Sequence, residues 1–148
     1  MQATHPSYAR VSRARIHASP LRSAHLLLQT AFVGILGIAG LDKFFRLFTD
    51  WSTFLAPSLV EALSFHPNYF MYAVGLLEIA TALVVAFKPK LGGYLAAGWF
   101  FAIIVNLAVA GGYRDIALRD AGLALAAVAF ARMSAGLPSK QREAGVLR

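Results

Sequence analysis

Two long stretches of this 148-residue chain carry no charged side chain. Residues 24–41 are uncharged over 18 residues, and residues 91–113 are uncharged over 23. A helix needs about 20 mostly apolar residues to cross the hydrocarbon core of a bilayer. Only 14% of the residues are charged, whereas soluble domains average roughly 25%. The chain is therefore predicted to be an integral membrane protein.

Two further stretches are apolar with few interruptions. Residues 70–87 contain one charged residue, Glu78, and residues 115–133 form an alanine-rich run broken by a few charges. Backbone groups in lipid must be hydrogen-bonded internally, and none of these runs alternates as a barrel strand does, so helices are predicted. The sequence thus predicts an all-α, integral membrane four-helix bundle. Its spans are predicted at approximately 24–45, 69–87, 91–111 and 115–133.

The segments outside the predicted spans differ in character. Residues 1–22 are arginine-rich and free of acids, and they are predicted to form a basic, disordered cytoplasmic tail. Residues 134–148 are predicted to form a second basic cytoplasmic tail, which leaves residues 23–133 as the transmembrane domain. Apolar residues recur at roughly helical spacing within residues 49–67, so a short interfacial helix is expected after Pro57.

Lysine and arginine are distributed unevenly between the two sides of these spans. Ten fall on the side that holds both tails and the Lys88–Lys90 turn, and four fall on the other side. Loops rich in lysine and arginine stay in the cytoplasm, so both termini are expected there. The basic residues bracket apolar segments and do not line one amphipathic face, so a nucleic-acid partner is not expected.

One acidic residue lies deep in the second predicted span. Glu78 is about ten residues from the outer end, a depth of about 15 Å at 1.5 Å per residue. A charge at this depth costs roughly 2.5–3.5 kcal/mol on insertion scales, so it usually faces protein or water. Mostly small residues share its helical face, whereas Leu76 and Leu83 lie opposite. We therefore expect the carboxyl group inside the bundle.

Six other polar residues lie toward the same half of the spans. They are Asp42 and Lys43 in the first span, Trp99 and Asn106 in the third, and Arg119 and Asp120 in the fourth. We predict that they converge with Glu78 in an outward-opening pocket for a ligand or a proton. Arg119 is also placed to pair with Asp115 at the i, i+4 spacing. Two alternatives stay open: Lys43, Arg114 and Arg119 snorkel to headgroups, or Glu78 is protonated or held in a structural ion pair.

Several chemistries are not expected. The chain has no cysteine, so it cannot form a disulfide, a thiolate zinc site or an iron–sulfur cluster by itself. His25 and His66 lie at opposite ends of the predicted spans, which argues against bis-histidine haem ligation. No nucleophile triad, paired carboxylate or metal-spaced cluster is present in the sequence, so neither a catalytic residue nor a metal site is predicted.

Two short motifs carry a family resemblance. Gly40-Leu41-Asp42-Lys43-Phe44 and Gly75-Leu76-Leu77-Glu78-Ile79 resemble the Gly-x-x-Lys and Gly-x-x-Glu patterns of the DoxX-like family of small bacterial membrane proteins. Residues 114–120 are similar to the entry of that family's fourth helix, and the resemblance covers roughly residues 24–133. It implies a four-helix bundle in the bacterial inner (plasma) membrane. Relatives include a subunit of thiosulfate:quinone oxidoreductase and components of oxidative-stress membrane complexes.

These observations lead to three functional hypotheses. The first is a non-catalytic subunit that binds a lipophilic, quinone-like molecule and supports a membrane or peripheral redox or stress-response partner. The second is a proton-linked transporter or permeability module that uses Glu78. The third is a structural scaffold whose buried charges only specify packing. Gly34, Gly37 and Gly40 recur on the first span and permit close helix contact, within the chain or in a homo-oligomer.

Overall fold

The fold consists of helices connected by short segments. A computed structural model describes the backbone of residues 6–63 and 66–137 and the side chains of residues 20–63 and 66–137. The described part contains helices and no strand, which confirms the all-α prediction. In chain order the α-helices are α1 (Pro6–Phe45), α2 (Pro57–Ala62), α3 (Pro67–Phe87), α4 (Pro89–Ala110) and α5 (Arg114–Gly136), with a 3₁₀ helix at Trp51–Phe54 between α1 and α2.

Proline and glycine mark the helix boundaries. Pro57, Pro67 and Pro89 occupy the first positions of α2, α3 and α4, where a missing N–H costs no helical hydrogen bond. Gly111 and Gly112 join α4 to α5 with φ of +71° and +89°, a backbone region that glycine enters without steric cost. The α2 helix lies where the sequence predicts a short helix after Pro57.

Three helices are long and apolar enough to cross a membrane. They are Pro20–Phe45 within α1, Pro67–Phe87 and Pro89–Ala110. Many of their large apolar side chains are exposed, including Leu27, Leu76 and Phe101, and a bilayer would cover such faces. The chain is thus a helical membrane protein by the length and composition of these helices.

The four long helices pack around a core in one half of the molecule. Helix α3 contacts both α1 and α4, and α5 packs mainly on α4 and less on α1. Phe32 of α1 lies with its ring centroid 5.8 Å from that of Phe130 of α5 and 6.2 Å from that of Phe100 of α4. Leu36 and Val85 complete this fully buried centre.

The other half of the molecule is less densely filled by helices, because α1 ends early. Gly40 lies against Gly75 and Glu78. From this level α1 continues five residues to Phe45, whereas α3 begins eleven residues before Glu78, at Pro67. At 1.5 Å per residue, α3 extends about 9 Å further than α1. The segment that contains the 3₁₀ helix and α2 connects these two helix ends.

Two expectations from the sequence differ from the structure. The backbone is helical from Pro6, within the segment predicted to be a disordered tail; alanine and arginine, which are common there, are good helix formers. Gly34 and Gly37 have no atom within 4 Å of an added Cβ, and only Gly40 of this trio makes a close approach. The predicted tail at 134–148 lies outside the described residues beyond Leu137.

Candidate functional site

The centre of the site is an ion pair between α1 and α3. Lys43 Nζ donates to Glu78 Oε2 at 2.6 Å, and both side chains are only 4% exposed. Glu78 lies next to the midpoint of α3, as the depth argument from the sequence predicts. An ammonium group at this distance offsets part of the cost of burying the carboxylate. Lys43 therefore contacts Glu78 and does not extend to a headgroup.

Two glycines allow the helices to approach closely enough for this pair. A Cβ on Gly40 would lie 2.8 Å from the carbonyl oxygen of Gly75, and a Cβ on Gly75 would lie 2.7 Å from that of Gly40. Each glycine precedes its charged residue by three positions, so glycine and charge share one helix face. The Gly-x-x-Lys and Gly-x-x-Glu motifs thus encode a contact as well as a charge.

Both tryptophans of the chain contact this pair or its neighbour. Trp99 Nε1 of α4 donates to Glu78 Oε1 at 3.0 Å, so each carboxylate oxygen accepts one hydrogen bond. Lys43 Nζ lies 4.0 Å from the centroid of the Trp51 ring, a geometry that attracts a cation to the ring face. Trp51 was not predicted as a site residue, since its position near the helix end indicates only an interfacial aromatic.

Asp42 holds the end of α1 and the Trp51 side chain in place. Its Oδ1 accepts hydrogen bonds from the backbone N–H groups of Leu47 and Phe48 at 2.8 and 3.0 Å, and its Oδ2 accepts from Trp51 Nε1 at 2.7 Å. The chain leaves α1 through Arg46, whose φ is +51°. Asp42 therefore closes the end of α1 and orients the Trp51 ring beneath Lys43, and it does not line the cavity described below.

A second charged pair lies on α5. Arg119 Nε donates to Asp120 Oδ1 at 3.0 Å; the Asp120 side chain is 4% exposed, whereas that of Arg119 is 64% exposed. The sequence-based expectation that Arg119 pairs with Asp115 is wrong. The neighbouring Asp120 is turned into the molecule with Ile116 and Leu123, at i−4 and i+3 on the same helix face.

Asn106 of α4 holds the segment between α1 and α3. Its Nδ2 donates to the carbonyl oxygen of Phe54 at 2.7 Å, and its Oδ1 accepts from the backbone N–H of Ala56 at 3.0 Å. Tyr113 adds a hydrogen bond from its hydroxyl to the carbonyl oxygen of Thr53 at 3.3 Å. Outside the predicted spans, Ser52 donates from its hydroxyl and its backbone N–H to Asp50, and these bonds hold the pKa of Asp50 below its usual value.

These elements line a cavity of about 580 Å³ that is partly open to the surface. Its walls are mostly apolar, with aromatic rings from Trp51, Phe54 and Phe100. The polar lining comes from six residues: Lys43, Thr49, Glu78, Asn106, Arg119 and Asp120. The cavity occupies the half of the molecule in which α1 ends early.

The structure brings most of the predicted site residues to this cavity. Five of the seven line it: Lys43, Glu78, Asn106, Arg119 and Asp120. Trp99 contacts the cavity only through Glu78, and Asp42 through Trp51. The apolar lining was not identified from the sequence. In a membrane helix, apolar residues face the lipid, the core and the cavity alike, so their sequence pattern does not distinguish these positions.

Comparisons with known proteins return nothing similar: no family model, curated protein or solved structure matches the chain. Among the described residues, no group of three or more histidine, aspartate or glutamate side chains is placed to hold a metal ion.

Proposed function

We propose that this protein is a four-span, DoxX-like subunit of the bacterial inner membrane that binds a lipophilic, quinone-like molecule in the cavity. In this proposal both termini are cytoplasmic and the bound molecule supports a redox or stress-response partner. The observation that supports a bound ligand is the partly open, mostly apolar cavity with polar groups on its wall. The family, the membrane and the partner class rest on the motifs around Lys43 and Glu78 and on the distribution of basic residues.

The size and lining of the cavity suit such a ligand. Cavities of roughly 300–1,000 Å³ with apolar walls and a few polar groups are typical of small-molecule sites, and this one measures about 580 Å³. Trp51, Phe54 and Phe100 offer faces and edges to a planar ring. Lys43 and Arg119 are paired with Glu78 and Asp120, so the charged wall is neutral overall and favours an uncharged ligand.

The position of one lining residue supports entry from the lipid. Ile35 lines the cavity and is 41% exposed on the surface of α1. A bilayer would cover this surface, so a lipophilic molecule dissolved in the hydrocarbon has a short route to the cavity. A water-soluble ligand would not reach the cavity by this lipid-facing route.

The apolar outer face of α5 supports its assignment as the fourth span. Leu118 and Leu125 are exposed, whereas Asp120 is buried and the inner residues Ala127, Phe130 and Ala131 pack in the interior. Burial of the acid removes one of the main obstacles to placing α5 in a bilayer.

Tryptophan fluorescence tests the ligand directly. The two tryptophans of the chain contact the Lys43–Glu78 pair, so a bound quinone would quench both. We expect decyl-benzoquinone to quench the detergent-solubilised protein saturably, at one molecule per chain. Ala39→Phe should abolish the saturable phase because Ala39 lines the cavity, whereas Ile38→Phe, on the exposed face of the same helix, should retain it. Equal, non-saturable quenching in all three proteins would contradict the proposal that the cavity binds a quinone-like molecule.

The proton-linked alternative depends on Glu78 exchanging a proton. Both of its oxygens already accept hydrogen bonds, from Lys43 and Trp99. This pairing supports a fixed carboxylate over a relay. Proton flux in proteoliposomes that is abolished by Glu78→Gln would favour the relay instead.

A further inference from the structure

The hydrogen-bonding capacity of the cavity wall is unevenly used. Lys43 Nζ donates to Glu78, approaches the carbonyl oxygen of Ala39 at 3.5 Å and faces the Trp51 ring, so its donors are occupied. The Asn106 amide is used by the backbone of Phe54 and Ala56. The principal ammonium and amide groups of the wall are thus already engaged within the protein.

Asp120 is different, because it is buried and has spare accepting capacity. It is 3% exposed and lines the cavity. Its Oδ1 accepts from Arg119 Nε, and within the described residues its Oδ2 accepts no hydrogen bond. A carboxylate has about four acceptor positions, and Oδ2 is not among the fully enclosed atoms of the described residues, so it is accessible from the cavity that Asp120 lines. Asp120 therefore favours a molecule in the cavity that supplies a donor.

Arg119 does not reverse this preference. Arg119 lines the cavity, but its side chain is 64% exposed, so its remaining N–H groups can be satisfied by water or headgroups. It also neutralises Asp120, just as Lys43 neutralises Glu78. An added cation would leave the wall with a net positive charge, so the matching donor is an uncharged one.

We infer that the cavity selects an apolar ring bearing a hydroxyl group, a phenol or a quinol, over the corresponding carbonyl or ether, with the hydroxyl donating to Asp120. This inference rests on the proposed function and specifies its ligand: a quinone-like molecule is held in its hydroxyl form. Hydrogen bonds to a charged acceptor are roughly twice as strong as those between neutral groups, so the preference should be large enough to measure.

A matched pair of ligands tests the inference on the unaltered protein. 4-Heptylphenol and 4-heptylanisole share one apolar body and differ in the donor. By calorimetry in nanodiscs we expect the phenol to bind at least about tenfold more tightly, the size of one hydrogen bond to a charged group. Equal affinities would overturn the inference while leaving a lipophilic site intact. Binding of neither compound, nor of decyl-benzoquinone, would remove the proposed function as well.

Two variants test whether Asp120 is the acceptor that causes the preference for the phenol, and one cationic ligand tests the preference for a neutral molecule. Asp120→Asn keeps the shape but replaces the charged acceptor, and it should reduce the phenol-to-anisole ratio to about two- or threefold. Asp115→Asn, on the same helix but outside the cavity lining, should leave the ratio unchanged. An unchanged ratio in Asp120→Asn would assign the donor to another acceptor and contradict the inference. Tighter binding of 4-heptylbenzylamine than of the phenol would contradict the requirement for a neutral ligand.

Discussion

At the scale of single residues, the Lys43–Glu78 pair shows what a sequence reveals in a membrane helix. A charge in the middle of an apolar run is conspicuous, so Glu78 was readily identified. The small residues on its helix face predicted that its carboxyl group faces the interior of the bundle. The role of Asp42 was not predictable, since its partners are backbone groups of Leu47 and Phe48 in an irregular turn. The Arg119–Asp115 expectation failed because spacing along a helix does not indicate which carboxylate is turned inward.

Removal of one member of the pair should be more damaging than removal of both. Lys43→Met leaves the Glu78 carboxylate buried without a counter-charge, which we expect to destabilise the protein by about 3–5 kcal/mol. In Lys43→Met with Glu78→Gln, the amide oxygen can still accept from Trp99, so most of the loss should be recovered. Unfolding by SDS in mixed micelles measures both values. Lys90→Met, at an exposed position, is the control, and a Lys43→Met protein as stable as the control would contradict this account.

At the scale of elements, contacts between helices depend on particular glycines. The sequence marks Gly34, Gly37 and Gly40 alike, but only Gly40 lies against another helix. The difference arises because the other two occupy helix positions with no neighbour, which the sequence of α1 does not encode by itself. The Gly-x-x-Lys and Gly-x-x-Glu motifs gave the better indication, since a charge that must be paired identifies the face that meets a partner helix.

Alanine substitutions in α1 distinguish the two kinds of glycine. Gly40→Ala places a methyl group 2.8 Å from both the Gly75 carbonyl oxygen and Ile79 Cγ1. It should therefore separate α1 from α3 and cost about 1–3 kcal/mol. Gly37→Ala meets open space and should be neutral or slightly stabilising, because alanine favours the helix. The same SDS unfolding assay applies, and equal stabilities of the two variants would contradict the close approach.

The segment between α1 and α3 is held mainly by Asn106. Asn106→Ala removes its hydrogen bonds to Phe54 and Ala56, each worth about 1 kcal/mol. We expect the Ala56 amide to exchange with solvent about tenfold faster or more, measured by hydrogen–deuterium exchange in nanodiscs. Asn68→Ala is the matched control, since in the described structure the Asn68 side chain makes no hydrogen bond. Unchanged exchange in Asn106→Ala would show that other contacts hold the segment.

At the scale of the whole molecule, the long apolar runs and the low charge content predicted the helical class, and the bounds of α3 and α4 lie within two residues of the predicted spans. The polar residues of the spans predicted a pocket, but neither its size nor its apolar walls, which depend on the early end of α1 relative to α3. The assignment of α5 as a membrane span is less decisive than that of the other three long helices. The charges of Arg119, Asp120 and Arg132 lower its average hydropathy, although Asp120 is buried.

Cysteine labelling tests whether α5 crosses the membrane. The chain has no cysteine of its own, so a single introduced thiol is labelled without background. With four spans, Asp115→Cys should react with an impermeant maleimide in intact spheroplasts, and Ala135→Cys should react only after the membrane is opened. Both positions are exposed and lie near opposite ends of α5. Labelling of both from the same side would place α5 outside the membrane or along its surface.

The central claim is that the cavity between α1, α3, α4 and α5 holds a lipophilic small molecule. Native mass spectrometry of protein extracted gently from its membrane tests this claim most directly. We predict one bound non-lipid molecule per chain in the unaltered protein and in Ile38→Phe, and its loss in Ala39→Phe. A mass equal to that of the bare chain in all three proteins, or the same adduct in Ala39→Phe, would contradict it.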